Sequence, residues 1–238
     1  MLCPDIYLNA FPEILAMYSR GGNPVFIPES RAGQKGAANA AYAIGQGQAI
    51  GYSPFGFESN CDAADNVTFC ELYRSLSSIA DKVLAAQASG TIGAAWLKGA
   101  DPVQVKDDIV LGDVRLTCEL VSSGMRNGGA PQLTGGTYNP DDAGYVVAIQ
   151  EGDTLLVLGS NARVTFKPTE GDDIIGLAKV IEGTFDAQGN WKEGRWLNGD
   201  QIQLRYDLLY AVQEGYSGQG LNFQTPHPQF IKVQLFTY

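Results

Sequence analysis

Pro24-Val25-Phe26-Ile27-Pro28-Glu29-Ser30 holds a short, continuous apolar run bounded by prolines and ending directly on a carboxylate. A run of that length without polar alternation is what a strand of a buried parallel sheet requires. Upstream, Ile6-Tyr7-Leu8 is another short apolar stretch. Phe11, Ile14, Leu15 and Tyr18 then recur at helical spacing until Gly21-Gly22-Asn23-Pro24 stops the helix. Downstream, a Gly/Ala-rich helix is expected from about Gly36 to Ile44, and a third strand over Gln48 to Phe55. From Val67 to Ala86 the positions Phe69, Leu72, Tyr73, Leu76, Ile79, Ala80 and Val83 fall at steps of three and four, with Asn66 or Asp65 as N-cap.

Strand and helix therefore alternate three times with short connections, which implies a parallel sheet, and three such units are too few to close one. After Ser89-Gly90 the texture changes to strand-like runs punctuated by glycine and aspartate: Asp108 to Val121, Tyr145 to Ile149, Thr154 to Leu158, Arg163 to Lys167, Gly176 to Phe185, Ile202 to Tyr210 and Phe230 to Tyr238. Short strands separated by turn signals predict an antiparallel β-sandwich. The expected organisation is α/β followed by all-β. Residues 1–90 would be the last three βα units of an incomplete TIM (β/α)8 barrel and residues 91–238 a β-sandwich, with the boundary near residues 88–104.

Bulk chemistry narrows the partners. Sixteen basic residues stand against 26 acidic ones, a formal net charge of −10, and the basic ones are scattered. A phosphate backbone finds no electropositive groove there, so nucleic acid is not expected as a partner. Cys3, Cys61, Cys70 and Cys118 show no metal-finger spacing and His227 is the only histidine; no metal site is expected, and the cysteines read as small buried hydrophobes. No stretch approaches the roughly 20 apolar residues of a membrane span.

In parallel βα sheets the reactive side chains stand at the C-terminal ends of strands. Glu29 occupies that position on the second strand, and Pro28 stiffens the backbone before it. Asp5 and Tyr7 end the preceding strand, where a tyrosine can hydrogen-bond a carboxylate and keep it ionised and aligned. Ser53, Phe55 and Glu58 follow the third strand as pocket candidates, Phe55 offering an apolar face to a sugar ring and Glu58 a carboxylate. In the second half, Trp191, Arg195, Trp196, Asn198 and Asp200 cluster within ten positions; packing is the favoured reading there, a sugar platform the other. Asn66-Val67-Thr68 fits a glycosylation acceptor but sits where a helix cap is expected.

Pro4-Asp5-Ile6-Tyr7-Leu8, Gly22-Asn23-Pro24-Val25-Phe26-Ile27-Pro28-Glu29, Ala43-Ile44-Gly45 and Gly51-Tyr52-Ser53-Pro54-Phe55-Gly56-Phe57-Glu58 together resemble the last βα units of the β-galactosidase-like enzymes of glycoside hydrolase family 35. Glu182-Gly183-Thr184-Phe185, Trp191 and Gly194-Arg195-Trp196-Leu197-Asn198-Gly199-Asp200 resemble a β-sandwich of unassigned function that follows the barrel in bacterial members. The resemblance implies that Glu29 is the nucleophile of a retaining glycosidase and that Asp5, Tyr7, Ser53, Phe55 and Glu58 border the substrate. It further implies a β-galactoside-like carbohydrate substrate, no cofactor, export from the cytoplasm, and the N-terminal remainder of a barrel as a partner.

A retaining mechanism uses two carboxyl groups, one attacking the anomeric carbon and one protonating the leaving oxygen. In that family the acid is a glutamate after an asparagine, and this chain contains no Asn-Glu dipeptide. The isolated chain is therefore expected to be inactive, as a fragment of a longer enzyme, the product of a truncated gene model, or a degenerate protein kept for binding. The competing expectation is a non-catalytic carbohydrate-binding or scaffold β-sandwich.

Overall fold

A computed structural model of the chain describes residues 1–57, 66–100, 103–121, 138–202 and 217–238. Its first strands are short: β1 (Asp5–Ile6), β2 (Phe26–Ser30) and β3 (Gly51–Pro54), paired in parallel in the order β1-β2-β3. Helix α1 (Phe11–Tyr18), with proline in its first turn, leads from β1 toward β2, and α2 (Gly33–Gly45) joins β2 to β3. Then α3 (Val67–Ser78) and α4 (Ala80–Ser89) follow. The periodicity predicted one helix across both; it breaks at Ile79, whose φ of −123° leaves the helical range.

Among the described residues, ten more strands form two antiparallel sheets. The larger contains β4 (Ile92–Lys98), β7 (Ala143–Glu151), β8 (Thr154–Ser160), β10 (Ile175–Phe185), β11 (Trp191–Trp196) and β13 (Gln229–Thr237), in the order β11-β10-β13-β8-β7-β4. The smaller contains β5 (Lys106–Leu111), β6 (Val114–Leu120), β9 (Ala162–Pro168) and β12 (Gly220–Phe223), in the order β12-β9-β6-β5. Between the sheets lie Leu97, Val146, Ala148, Val157, Ile231 and Val233 of the large sheet and Leu116, Val164 and Phe166 of the small one. Alternate residues of the same large-sheet strands, Ala94, Trp96, Tyr145, Val147, Leu156 and Phe230, point the opposite way into a second core with Ile6, Ile27, Phe69 and the alanines of α2. A strand covered on both faces needs apolar residues at every position, which is why Ile92-Gly93-Ala94-Ala95-Trp96-Leu97 does not alternate.

This arrangement corrects the expected architecture. The chain is mostly β, 44% strand against 26% helix, and its parallel strands do not form part of an incomplete TIM (β/α)8 barrel: no barrel is present among the described residues. The reason lies in α2. A helix on the outside of a barrel needs one apolar stripe, whereas α2 buries Gly36, Ala37, Ala38, Asn39, Ala40, Ala41, Ala43 and Gly45, on more than one face. Its small side chains let it lie between the parallel strands and α3 on one side and β4 and β7 on the other. The core therefore runs across residue 90, joining the βα segment to the large sheet.

Gly45 is a close point of that contact. A Cβ placed there would lie 2.6 Å from the Ala94 Cβ and 3.3 Å from the Gly93 carbonyl oxygen. Gly45→Val forces helix and sheet apart and is expected to cost about 1–3 kcal/mol. Because the core is shared, urea titrations followed by tryptophan fluorescence and by far-UV circular dichroism should shift together; a shift confined to one signal would show that the two parts unfold separately.

Other expectations are adjusted by burial. Cys118 is fully buried, and that burial pushes its thiol well above the ordinary range, but Cys70 is half-buried and Cys3 exposed. Cys61 and the run from 203 to 210 lie outside the described residues. No described helix is long and apolar enough to cross a membrane. Asn66 is 5% exposed, and its side-chain carbonyl accepts a hydrogen bond from the Gly33 N–H at 3.0 Å. It caps α2, its neighbour in space, and makes no capping bond to its own helix.

Candidate functional site at the ends of the parallel strands

Parallel pairing sets Asp5 beside Glu29 in register. Tyr7, the first residue after β1, then stands one step beyond this pair. Its phenolic hydroxyl donates to Glu29 Oε1 at 2.8 Å. Glu29 is half-buried, Tyr7 36% exposed and Asp5 exposed, so the carboxylate is held by one defined donor yet open to solvent. A phenol donating to a carboxylate is a charge-assisted bond and fixes both side chains. Partial desolvation, then the hydrogen bond to Glu29 and the charges of Glu29 and Asp5, push the Tyr7 phenol up to about 12, with Arg31 acting in the opposite direction. Tyr7 is thus a neutral donor at any physiological pH.

The frame around this pair was not evident from the sequence. Arg31 donates twice to the Tyr7 carbonyl, from Nε at 3.0 Å and Nη2 at 2.7 Å, fixing the backbone that carries the phenol. Tyr52 on β3 donates to the Arg31 carbonyl at 2.7 Å, and Tyr73 on α3 donates to the Tyr52 carbonyl. From the large sheet, Lys98 reaches across to the Asn9 carbonyl at 2.8 Å, its ammonium 4.8 Å from the Trp96 ring centroid. Trp96 in turn donates from Nε1 to Asn39 of α2 at 2.8 Å. The only sequence signal for Arg31 was its place two residues after Glu29, and for Lys98 and Trp96 there was none.

Of the residues singled out in the sequence, the fold brings Glu29, Tyr7 and Asp5 together. Ser53, in β3, is half-buried, and Phe55, just past it, is 69% exposed with its N–H on the Ser30 carbonyl at 3.0 Å. Neither side chain hydrogen-bonds Glu29 among the described residues. Glu58 lies outside the described residues. In the second half, Trp191 packs edge-on against Phe185 at 5.1 Å, as internal packing requires, and Arg195 pairs with Glu182 at 2.6 Å. Trp196, however, is 65% exposed, which packing does not explain.

Several phenols have raised pKa values: Tyr7, Tyr42 and Tyr73 to about 12, and Tyr52 and Tyr145 further still, with desolvation the leading cause throughout. An unfolded tyrosine ionises near 10. Above that pH the unfolded chain releases protons that the folded chain retains, so stability present below about pH 10 is lost as pH rises toward 12. Thermal melts between pH 8 and 12 should show a monotonic fall beginning near pH 10. In Glu29→Gln, which removes the charge beside Tyr7, that phenol should titrate at lower pH, read as phenolate absorbance against a Tyr7→Phe reference.

A comparison with curated proteins returns no match. A family model does match, over residues 69–208, from α3 through the strands to β11 and beyond, leaving the parallel strands outside it. Because those residues make up more than half of the chain, it belongs to the family described as Domain of unknown function (DUF5597).

Proposed function

We propose that the chain carries the nucleophile of a retaining β-glycosidase of the β-galactosidase-like kind, acting on the terminal sugar of a neutral carbohydrate. The observation that carries this reading is the Tyr7–Glu29 hydrogen bond at the ends of paired parallel strands. Glu29 Oε attacks the anomeric carbon, the bond to the leaving oxygen breaks, and a glycosyl ester forms on Glu29. Water then cleaves the ester with retention at the anomeric centre. Tyr7, neutral throughout, holds the attacking carboxylate in line. The Asn-Glu pair that carries the acid in the glycosidases this chain resembles is absent here, so the proton for the leaving oxygen has to be supplied by an acid other than that one. General-acid assistance is worth about 10²–10⁴-fold, so unactivated glycosides should turn over poorly with this chain alone.

A 2-deoxy-2-fluoro-β-galactoside with a dinitrophenolate leaving group tests the reading, since departure of that group needs no acid. Mass spectrometry after proteolysis is expected to find the sugar on the peptide containing Glu29. A label on another carboxylate, or no label at all, would overturn the assignment.

A further inference from the structure

Among the described residues, the helices cover only part of the large sheet's outer face. α2 and α4 lie over β4 and β7, and the face continues past them onto β13, β10 and β11. On β13, Ile231, Val233 and Leu235 point into the core between the sheets, so alternation turns Lys232, Gln234 and Phe236 outward. Phe236 is 46% exposed, its ring lying over Gly176 of β10, where any Cβ would meet it at 2.5 Å. Tyr238 stacks against Phe236, with centroids 5.5 Å apart and planes 25° apart, and is itself 65% exposed. Further along, Lys179 pairs with Gln234 across the strands, and its ammonium sits 4.5 Å from the centroid of Trp196. Trp196 pairs with Ile181, which pairs with outward Lys232 on its other side; all therefore share one face.

Three exposed aromatic rings on one sheet face, separated by an ammonium and an amide, do not make a contiguous apolar patch of the kind a protein interface buries. They suit a ligand whose own surface alternates between apolar and hydroxylated. A pyranose ring does so: its axial C–H groups stack on aromatic faces and its equatorial hydroxyls hydrogen-bond polar neighbours. Lys179 holds the indole on one side, leaving the rest of the ring in solvent. From Gly176, under Phe236, to Lys179, beside Trp196, is three strand steps, about 10 Å at the usual rise. A short oligosaccharide bridges that span.

We propose that Trp196, Phe236 and Tyr238, with Lys179 and Gln234 between them, form a binding platform for a neutral β-linked polysaccharide chain. The platform lies on the six-stranded sheet, away from the parallel strands, and does not depend on the role of Glu29.

The test is affinity electrophoresis of this chain in gels containing soluble galactan, xylan or mixed-linkage β-glucan, with tryptophan fluorescence titration against the same polysaccharides. Retardation is expected with at least one of them, weakened at least tenfold by Trp196→Ala and by Phe236→Ala. It should persist in Val110→Ala, which alters an exposed residue on the small sheet. Circular dichroism melts establish that each variant is folded, and two independent ring removals guard against one misfolding. The proposal is overturned if none of the three polysaccharides retards the chain, or if both ring variants are retarded as much as the parent.

Discussion

Glu29→Gln is expected to lower the rate of fluorosugar labelling by on the order of 10⁴-fold or more, the usual cost of removing a catalytic nucleophile. The amide keeps nearly the shape of the carboxylate and can still accept the Tyr7 hydroxyl, so little else should change. Glu29 is half-buried and lies outside both hydrophobic cores, and its replacement should leave stability within about 0.5 kcal/mol of the parent. Tyr7→Phe separates attack from alignment. It removes one solvent-exposed hydrogen bond to a charged acceptor, and should slow labelling roughly 10–100-fold without moving the label. Equal labelling of parent and Glu29→Gln would end the nucleophile assignment. Equal labelling of parent and Tyr7→Phe would reduce the phenol to a bystander.

Phe69→Ala should be the most damaging single change to the fold, costing about 3–5 kcal/mol. Phe69 is 1% exposed and its ring meets Tyr73 at 4.7 Å, Phe57 at 5.5 Å and Tyr52 at 5.9 Å. Its position on α3 places it against the buried face of the parallel strands, where α2 and β3 cannot close over the space left behind without moving the shared core. Tyr52 borders that space and also holds the Arg31 carbonyl, while Arg31 holds the Tyr7 carbonyl. The substitution should therefore loosen the Glu29 site as well as the core. Urea unfolding at fixed temperature measures the loss. A value below about 1 kcal/mol would mean that the aromatic cluster repacks and that the site's frame is independent of it.

The elements nearest Glu29 were legible because their signals are local. Phe11, Ile14, Leu15 and Tyr18 mark α1 by their spacing, and Val25-Phe26-Ile27 between prolines marks β2. Trp191-Lys192-Glu193-Gly194-Arg195-Trp196 was read as a cluster rather than as β11, since an exposed edge strand full of charges has neither an apolar run nor clean alternation. From the sequence, Ile92-Gly93-Ala94-Ala95-Trp96-Leu97-Lys98 falls in the expected boundary between domains. It is β4, buried on both faces, and a short apolar run next to a boundary does not reveal which layers cover it.

By itself, the sequence determined where strands and helices can begin and end around Glu29, because proline, glycine and apolar spacing act on their own neighbourhood. It also put Glu29 near the C-terminal end of one strand, with Tyr7 close behind the strand before it, although the ladder itself includes both Asp5 and Glu29. Only the tertiary structure decided that Tyr7 donates to Glu29, that Arg31 and Lys98 secure the backbone around Tyr7, and that α2 lies between two sheets with no barrel to cover. Those outcomes depend on contacts between residues as far apart as Asn9 and Lys98 or Gly45 and Ala94. Such contacts are set by which apolar faces find each other when the whole chain packs, and local patterning carries no record of that choice.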